Sequence, residues 1–301
     1  MKKNLISIND FSKEEILHIL DVAQEFEAAR EQDFLRGKVV ACLFFEPSTR
    51  TRLSFEAAVN RLGARVIGFP DDRNTSVTKG ETLEDTIRII SNYVDMIVMR
   101  HPMGGAASLA AEYASVPVVN AGDGAKEHPT QTLLDLYAIR KTQGSLDGLK
   151  VNMVGDLKYS RTTHSLLQAL SLFDTRMVFT APEELRTPKE YLEILDAKGI
   201  PYEETSSLED HLQDCDILYM TRVQQERFPS VEQYRALKDS YILSAGMLKG
   251  VKPGMKILHP LPRVNEISTD VDADPRACYF KQVLNGKFMR MALILKLLNL
   301  A

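Results

Sequence analysis

The apolar run Val39 to Phe45 opens directly into Glu46-Pro47-Ser48-Thr49-Arg50-Thr51-Arg52. Three hydroxyls and two guanidiniums in one strand-to-helix turn suit a phosphate, because the first helical N–H groups there also favour an anion. Arg50 and Arg52 stand two residues apart and do not face one ligand from a helix, so Arg50 is taken as the ligand and Arg52 as structural. Similar polar clusters close other apolar runs: Arg100-His101-Pro102, His128-Pro129-Thr130-Gln131, Gly155-Asp156-Leu157-Lys158-Tyr159-Ser160-Arg161, Tyr219-Met220-Thr221-Arg222-Val223-Gln224 and Leu258-His259-Pro260-Leu261-Pro262-Arg263. His128 and Gln131 share one side of a helix start. Pro260 and Pro262 remove backbone donors and leave carbonyls as acceptors. Arg50, Arg100, Arg161 and Arg222 together supply four guanidiniums, enough for a phosphate and at least two carboxylates. The Gly155 turn lacks the second and third glycines of a dinucleotide fingerprint, and no metal, nucleotide or acyl-serine motif occurs. What remains is group transfer run by positioning and charge.

Those clusters need a scaffold that brings strand ends together. Short apolar or β-branched runs at Val39 to Phe45, Val66 to Phe69, Met96 to Met99 and Val116 to Val119 alternate with helical patterns at Thr51 to Leu62, Thr82 to Tyr93 and Ala106 to Tyr113. A second series alternates strands at Val151 to Val154, Met177 to Thr180, Ile217 to Met220 and Ile257 to Leu258 with helices at Arg161 to Leu172, Pro188 to Lys198 and Val231 to Lys238. Such alternation predicts α/β architecture with two parallel sheets flanked by helices. Ser12 to Glu31 reads as an amphipathic helix through Ile16, Ile19, Leu20, Ala23 and Phe26. Pro129 to Thr142 reads as a helix joining the two series, and Asn285 to Leu300 as an apolar final helix that packs back on the first domain.

The 301-residue length favours two domains. With Lys+Arg 37 against Asp+Glu 41, the net charge of −4 argues against nucleic acid or an anionic membrane as the main partner. No apolar run is long enough to span a membrane, and the first residues lack a signal-peptide core, so a cytoplasmic protein is expected. Cys42, Cys215 and Cys278 are widely spaced, which suits core thiols and not a disulfide framework or a zinc site.

Ser48-Thr49-Arg50-Thr51-Arg52, Arg100-His101-Pro102, His128-Pro129-Thr130-Gln131 and His259-Pro260-Leu261-Pro262 resemble the aspartate/ornithine carbamoyltransferase superfamily, over nearly the whole chain. His259-Pro260-Leu261-Pro262, in place of a His-Cys-Leu-Pro sequence, together with Arg161 and Arg222, points to the aspartate branch and so to pyrimidine biosynthesis. The resemblance implies a carbamoyl-phosphate-binding domain over 1–130, to which 286–301 return, and an aspartate-binding domain over 131–285. It implies that Ser48, Thr49, Arg50, Thr51 and Arg100 hold the phosphate of carbamoyl phosphate, with Thr51, Arg100 and His128 donating to the carbonyl oxygen. Gln131 and the backbone at Pro260, Leu261 and Pro262 then orient the carbamoyl NH2, while Lys79, Arg161, Arg222 and Gln224 grip aspartate. The loop Asn74 to Glu81 is similar to one that enters a neighbouring subunit's site through Ser76 and Lys79, which implies a homotrimer with shared sites. Glu46, Arg161 and Arg227 resemble domain-closure contacts. No cofactor or metal is implied, and whether a separate regulatory chain binds is left open. A carbamoyltransferase for another amine, or an anion-binding protein without catalysis, remains the alternative.

Overall fold

The computed structural model describes residues 3–28, 33–73 and 75–300. By contact density the chain divides into two units, Met1–Leu134 with Leu284–Ala301, and Asp135–Val283.

The first unit is built on a parallel four-stranded sheet in the order β2-β1-β3-β4: β1 Val39–Phe44, β2 Arg65–Phe69, β3 Met96–His101 and β4 Val118–Asp123. β1, β3 and β4 are mainly apolar on both faces, as buried parallel strands are, and most of their residues are buried. Crossovers run through α2 (Thr49–Arg61), α3 (Leu83–Ile90) and α4 (Ala106–Tyr113). α1 (Lys13–Ala28) buries the expected stripe Ile16, Ile19, Leu20, Ala23 and Phe26. Its start is a capping box, with Glu15 N–H donating to Ser12 Oγ and Ser12 N–H to Glu15. The end expected at Glu31 lies outside the described residues, as does Asn74.

The second unit carries a parallel five-stranded sheet in the order β7-β6-β5-β8-β9: β5 Leu149–Val154, β6 Thr175–Thr180, β7 Tyr202–Thr205, β8 Ile217–Met220 and β9 Lys256–Leu258. α6 (Arg161–Leu170), α7 (Lys189–Lys198) and α8 (Val231–Leu237) complete it. β7 escapes the sequence reading because Tyr-Glu-Glu-Thr is a polar edge strand paired only with β6. The chain passes from the first unit to the second within α5 (Pro129–Gln143) and returns within α9 (Tyr279–Leu297). The end of α9 packs in the first unit, where Arg290 donates to Ser54 Oγ at 2.9 Å and lies over the Phe55 ring. No helix among the described residues is long and apolar enough to cross a membrane.

Each strand order fixes where a ligand fits. In the first sheet the chain steps from β1 outward to β2, then returns to the other side of β1 as β3. In the second it steps from β5 through β6 to β7, then returns beside β5 as β8. Parallel α/β sheets bind ligands at the carboxyl ends of the strands where the direction reverses. The pairs concerned are β1/β3 and β5/β8.

Candidate active site

In the first unit the reversal point carries the predicted phosphate turn. β1 ends at Phe44, opposite Arg100 of β3 in register, and Phe45 N–H donates to the Arg100 carbonyl at 2.8 Å. Ser48, in extended conformation, precedes α2, and its side chain makes no capping hydrogen bond. The hydroxyl is therefore not spent on the helix, and the first-turn N–H groups keep their affinity for an anion. Thr51 is buried, whereas Thr49 and Arg50 are exposed. Arg52 is turned along the helix to Glu56 at 3.1 Å.

Arg100 Nε donates to Glu46 Oε1 at 2.7 Å, with side-chain exposures of only 15% and 19%. At that burial the pair is weakly screened, so Glu46 holds the guanidinium beside the Ser48 turn. β3 runs on through His101, two residues past the expected end, because pairing with β4 continues to Asp123. His101 serves the scaffold: its Nδ1 accepts the Met103 N–H at 3.0 Å, its ring lies against Phe45, and burial lowers its pKa.

His128 is buried just before α5, and its carbonyl accepts the N–H groups of Gln131 and Thr132 at 3.0 and 3.2 Å. Thr130 Oγ1 sits 3.4 Å from its Nδ1. Gln131, one turn along, is buried too. The turn leading to His128 depends on Asp123, whose carboxylate accepts from Gly105 N–H at 2.9 Å and Glu127 N–H at 3.2 Å. Sequence reading passed over Asp123; an aspartate closing an apolar strand before Gly124 was the available signal. Ser76 and Lys79 lie exposed on a single 3-10 turn, Ser76–Lys79, that ends at left-handed Gly80.

In the second unit the β5/β8 reversal point brings Arg161, Arg222 and Gln224 onto adjacent strand exits. The exits nearly touch: a Cβ at Gly155, where φ is +119°, would lie 2.3 Å from the Thr221 carbonyl oxygen. Only glycine fits there. Asp156 bridges the exits, accepting Tyr159 N–H at 3.0 Å and Gln224 N–H at 3.2 Å. Burial outweighs these hydrogen bonds and pushes the Asp156 carboxyl up to about 6. Arg161 is buried at the first position of α6. Arg222 is bidentate to Glu226, with Nη1 to Oε2 at 3.1 Å. Arg227 closes the short helix Gln225–Arg227. Leu261 has a left-handed backbone, φ +56°, before a cis bond to Pro262.

Chemically, the first unit offers hydroxyls, helix N–H groups and a fixed guanidinium for a phosphate, with buried His128 just ahead of α5. The second offers two guanidiniums and an amide, a set suited to a dicarboxylate. No group of His, Cys, Asp and Glu among the described residues could hold a metal ion.

Two family models cover the chain: the aspartate/ornithine carbamoyltransferase carbamoyl-P binding domain over residues 3–141, and the Asp/Orn binding domain over 147–297. The aspartate carbamoyltransferase catalytic subunit of Chromobacterium violaceum is 57% identical, over 99% of this chain and 98% of its own. The catalytic subunit of M. jannaschii aspartate transcarbamoylase superposes with a TM-score of 0.91 at 53% identity, covering 99% and 98% of the two chains. Aspartate transcarbamoylase from Trypanosoma cruzi, solved with carbamoyl phosphate and aspartate, superposes with a TM-score of 0.92 at 41% identity, over 97% and 96%.

Proposed function

The chain belongs to the aspartate/ornithine carbamoyltransferase family, and from that premise we propose the residue-level chemistry by which it carries the carbamoyl group of carbamoyl phosphate to the amine of L-aspartate. The products are N-carbamoyl-L-aspartate and phosphate, within pyrimidine biosynthesis. The observation that supports this reading is that the turn carrying Ser48, Thr49, Arg50 and Thr51 follows β1 at one sheet's reversal point, while Arg161 and Arg222 follow β5 and β8 at the other's.

Ser48, Thr49, Arg50 and Thr51 hold the phosphate with Arg100. Thr51, Arg100 and His128 donate to the carbonyl oxygen, which gains negative charge as the aspartate amine attacks. Gln131 and the carbonyls at Pro260 and Leu261 orient the carbamoyl NH2, with Pro262 fixing that turn. Arg161, Arg222, Gln224 and Lys79 bind the aspartate carboxylates. The new C–N bond forms as the C–O bond to phosphorus breaks, and phosphate leaves with that electron pair. The departing phosphate takes the amine proton, so no strong side-chain base is needed. Glu46, Arg161 and Arg227 serve domain closure, which expels water and strengthens each charge interaction. The working protein is a cytoplasmic homotrimer in which Ser76 and Lys79 complete a neighbour's site.

Two assays test this. Purified protein given carbamoyl phosphate should form N-carbamoyl-aspartate with aspartate and leave ornithine untouched; turnover of ornithine alone would defeat the reading. Lys79→Ala and His128→Ala preparations, each impaired alone, should regain part of the activity after subunit exchange, because mixed trimers contain some sites free of both changes. No recovery despite proven exchange would show self-contained sites.

A further inference from the structure

Beside the Pro260–Leu261–Pro262 turn the second unit holds a buried polar cluster. His259 and Glu266 are both buried, and His259 Nε2 lies 2.6 Å from Glu266 Oε1. On the other side of the ring the Leu261 N–H donates to His259 Nδ1 at 2.7 Å. A nitrogen that accepts a backbone N–H carries no proton, so the ring proton sits on Nε2 and is donated to Glu266. Burial lowers the His259 pKa, which agrees with a neutral ring. The other Glu266 oxygen accepts the N–H groups of Val264 and Asn265, each at 3.0 Å. The His259 N–H donates to Gln282 Oε1 at 3.0 Å, and Gln282 Nε2 donates to Asp135, which also accepts Tyr219 OH at 2.8 Å. The segment from His259 to Glu266 is thus closed on itself and tied to α5, β8 and α9.

Within this segment Leu261 has least reason to adopt its shape. Leu261 has φ +56°, a region that a leucine disfavours sterically. Its N–H is fixed by an imidazole whose tautomer is fixed in turn by Glu266.

We propose that His259 is a positioning residue for carbamoyl transfer: its unprotonated Nδ1, kept so by the Glu266 carboxylate, holds the Leu261 backbone where the Pro260 and Leu261 carbonyls meet the carbamoyl NH2 and the incoming amine. This rests on the function proposed above.

The two contacts of the ring can be separated. In His259→Asn the amide oxygen takes the place of Nδ1, keeping the Leu261 N–H bond and losing Glu266. In His259→Gln the amide reaches toward Glu266 and leaves the Leu261 N–H without its acceptor. Misplacing a reacting group by about an ångström costs on the order of 10²-fold in rate. The Gln variant should therefore lose kcat on that order with both KM values within about threefold of wild type, and the Asn variant should recover most of the loss. Equal loss in the two, or greater loss in Asn, would overturn the proposal, as would wild-type kcat in Gln. The ring is read independently of activity by 15N NMR of histidine-labelled wild-type protein near pH 7. A proton on Nε2 alone supports the arrangement, and one on Nδ1 overturns it. A wild-type protein that shows the Nε2 tautomer but transfers no carbamoyl group would refute the function and not the geometry.

Discussion

Arg100→Ala lowers kcat on the order of 10³-fold with carbamoyl phosphate and aspartate saturating. Losing one preorganised donor to a developing oxyanion costs about 10²–10³ in rate, and Arg100 is assigned to the leaving phosphate as well. The change also takes a cation away from a carboxylate. Glu46 accepts from Arg100 Nε at 2.7 Å with 19% of its side chain exposed, and losing that guanidinium makes the potential beside the phosphate turn more negative. Carbamoyl phosphate KM therefore rises together with the fall in kcat. Arg100→Lys restores the charge but not the fork that meets Glu46 and substrate at once, so it recovers only part of the loss. Glu46→Gln removes the negative charge, and the double variant Glu46→Gln/Arg100→Ala binds carbamoyl phosphate better than Arg100→Ala alone. His128→Ala, which removes one donor and no fixed charge, lowers kcat less, on the order of 10 to 10³-fold. Steady-state kinetics on the five proteins checks the order. An Arg100→Ala enzyme within tenfold of wild type would remove Arg100 from the reacting centre.

How far these residues could be read in advance depended on the range of their interactions. β1 and the Ser48 turn are visible because an apolar run meets hydroxyls and arginines within a few residues, and the hydroxyl and N–H chemistry there is local. The start of α9 is not. Asn285-Gly286 reads as punctuation, yet the helix begins at Tyr279 and runs through it. Buried Tyr279, and Gln282 bonded to both Asp135 and His259, anchor its first turn to residues far away in sequence. Asp156 stands in a segment marked as polar, but its partner Gln224 N–H is 68 positions on, and nothing local announces that bond. The Glu266 tie to His259 spans only seven positions, but it closes across the irregular Pro260–Leu261–Pro262 turn, whose shape no periodic pattern announces. Groups meant to touch substrate lie at strand exits and leave a pattern. Groups that aim them are paired by the fold.

Asp156 is where such aiming shows most clearly as a function of pH. Its carboxylate joins the β5 exit to Gln224 and so holds the turn that carries Arg222. With its carboxyl pushed up to about 6 by burial, Asp156 is mostly ionised at neutral pH and gains a proton as pH falls through about 6. Protonation puts a donor among backbone donors, so the turn loosens and aspartate KM rises on the acid side. The stability effect runs the other way. Between about pH 6 and the ordinary aspartate value of 3.8 the folded state holds a proton that the unfolded chain lacks, so this one group makes the fold more stable as pH drops, by about 3 kcal/mol at most. That gain is absent at neutral pH, where the buried charge is a cost accepted for its hydrogen bonds. Asp156→Asn should raise aspartate KM by about 10- to 100-fold at pH 7, the worth of a charged hydrogen bond, and flatten the rise in KM between pH 7 and 5. In urea unfolding the variant should lose the wild-type gain in stability over the same interval, the difference between the two proteins isolating Asp156 from every other titrating group. An acid limb in KM unchanged in Asp156→Asn would assign that limb to another residue and leave the Gln224 turn indifferent to its bridge.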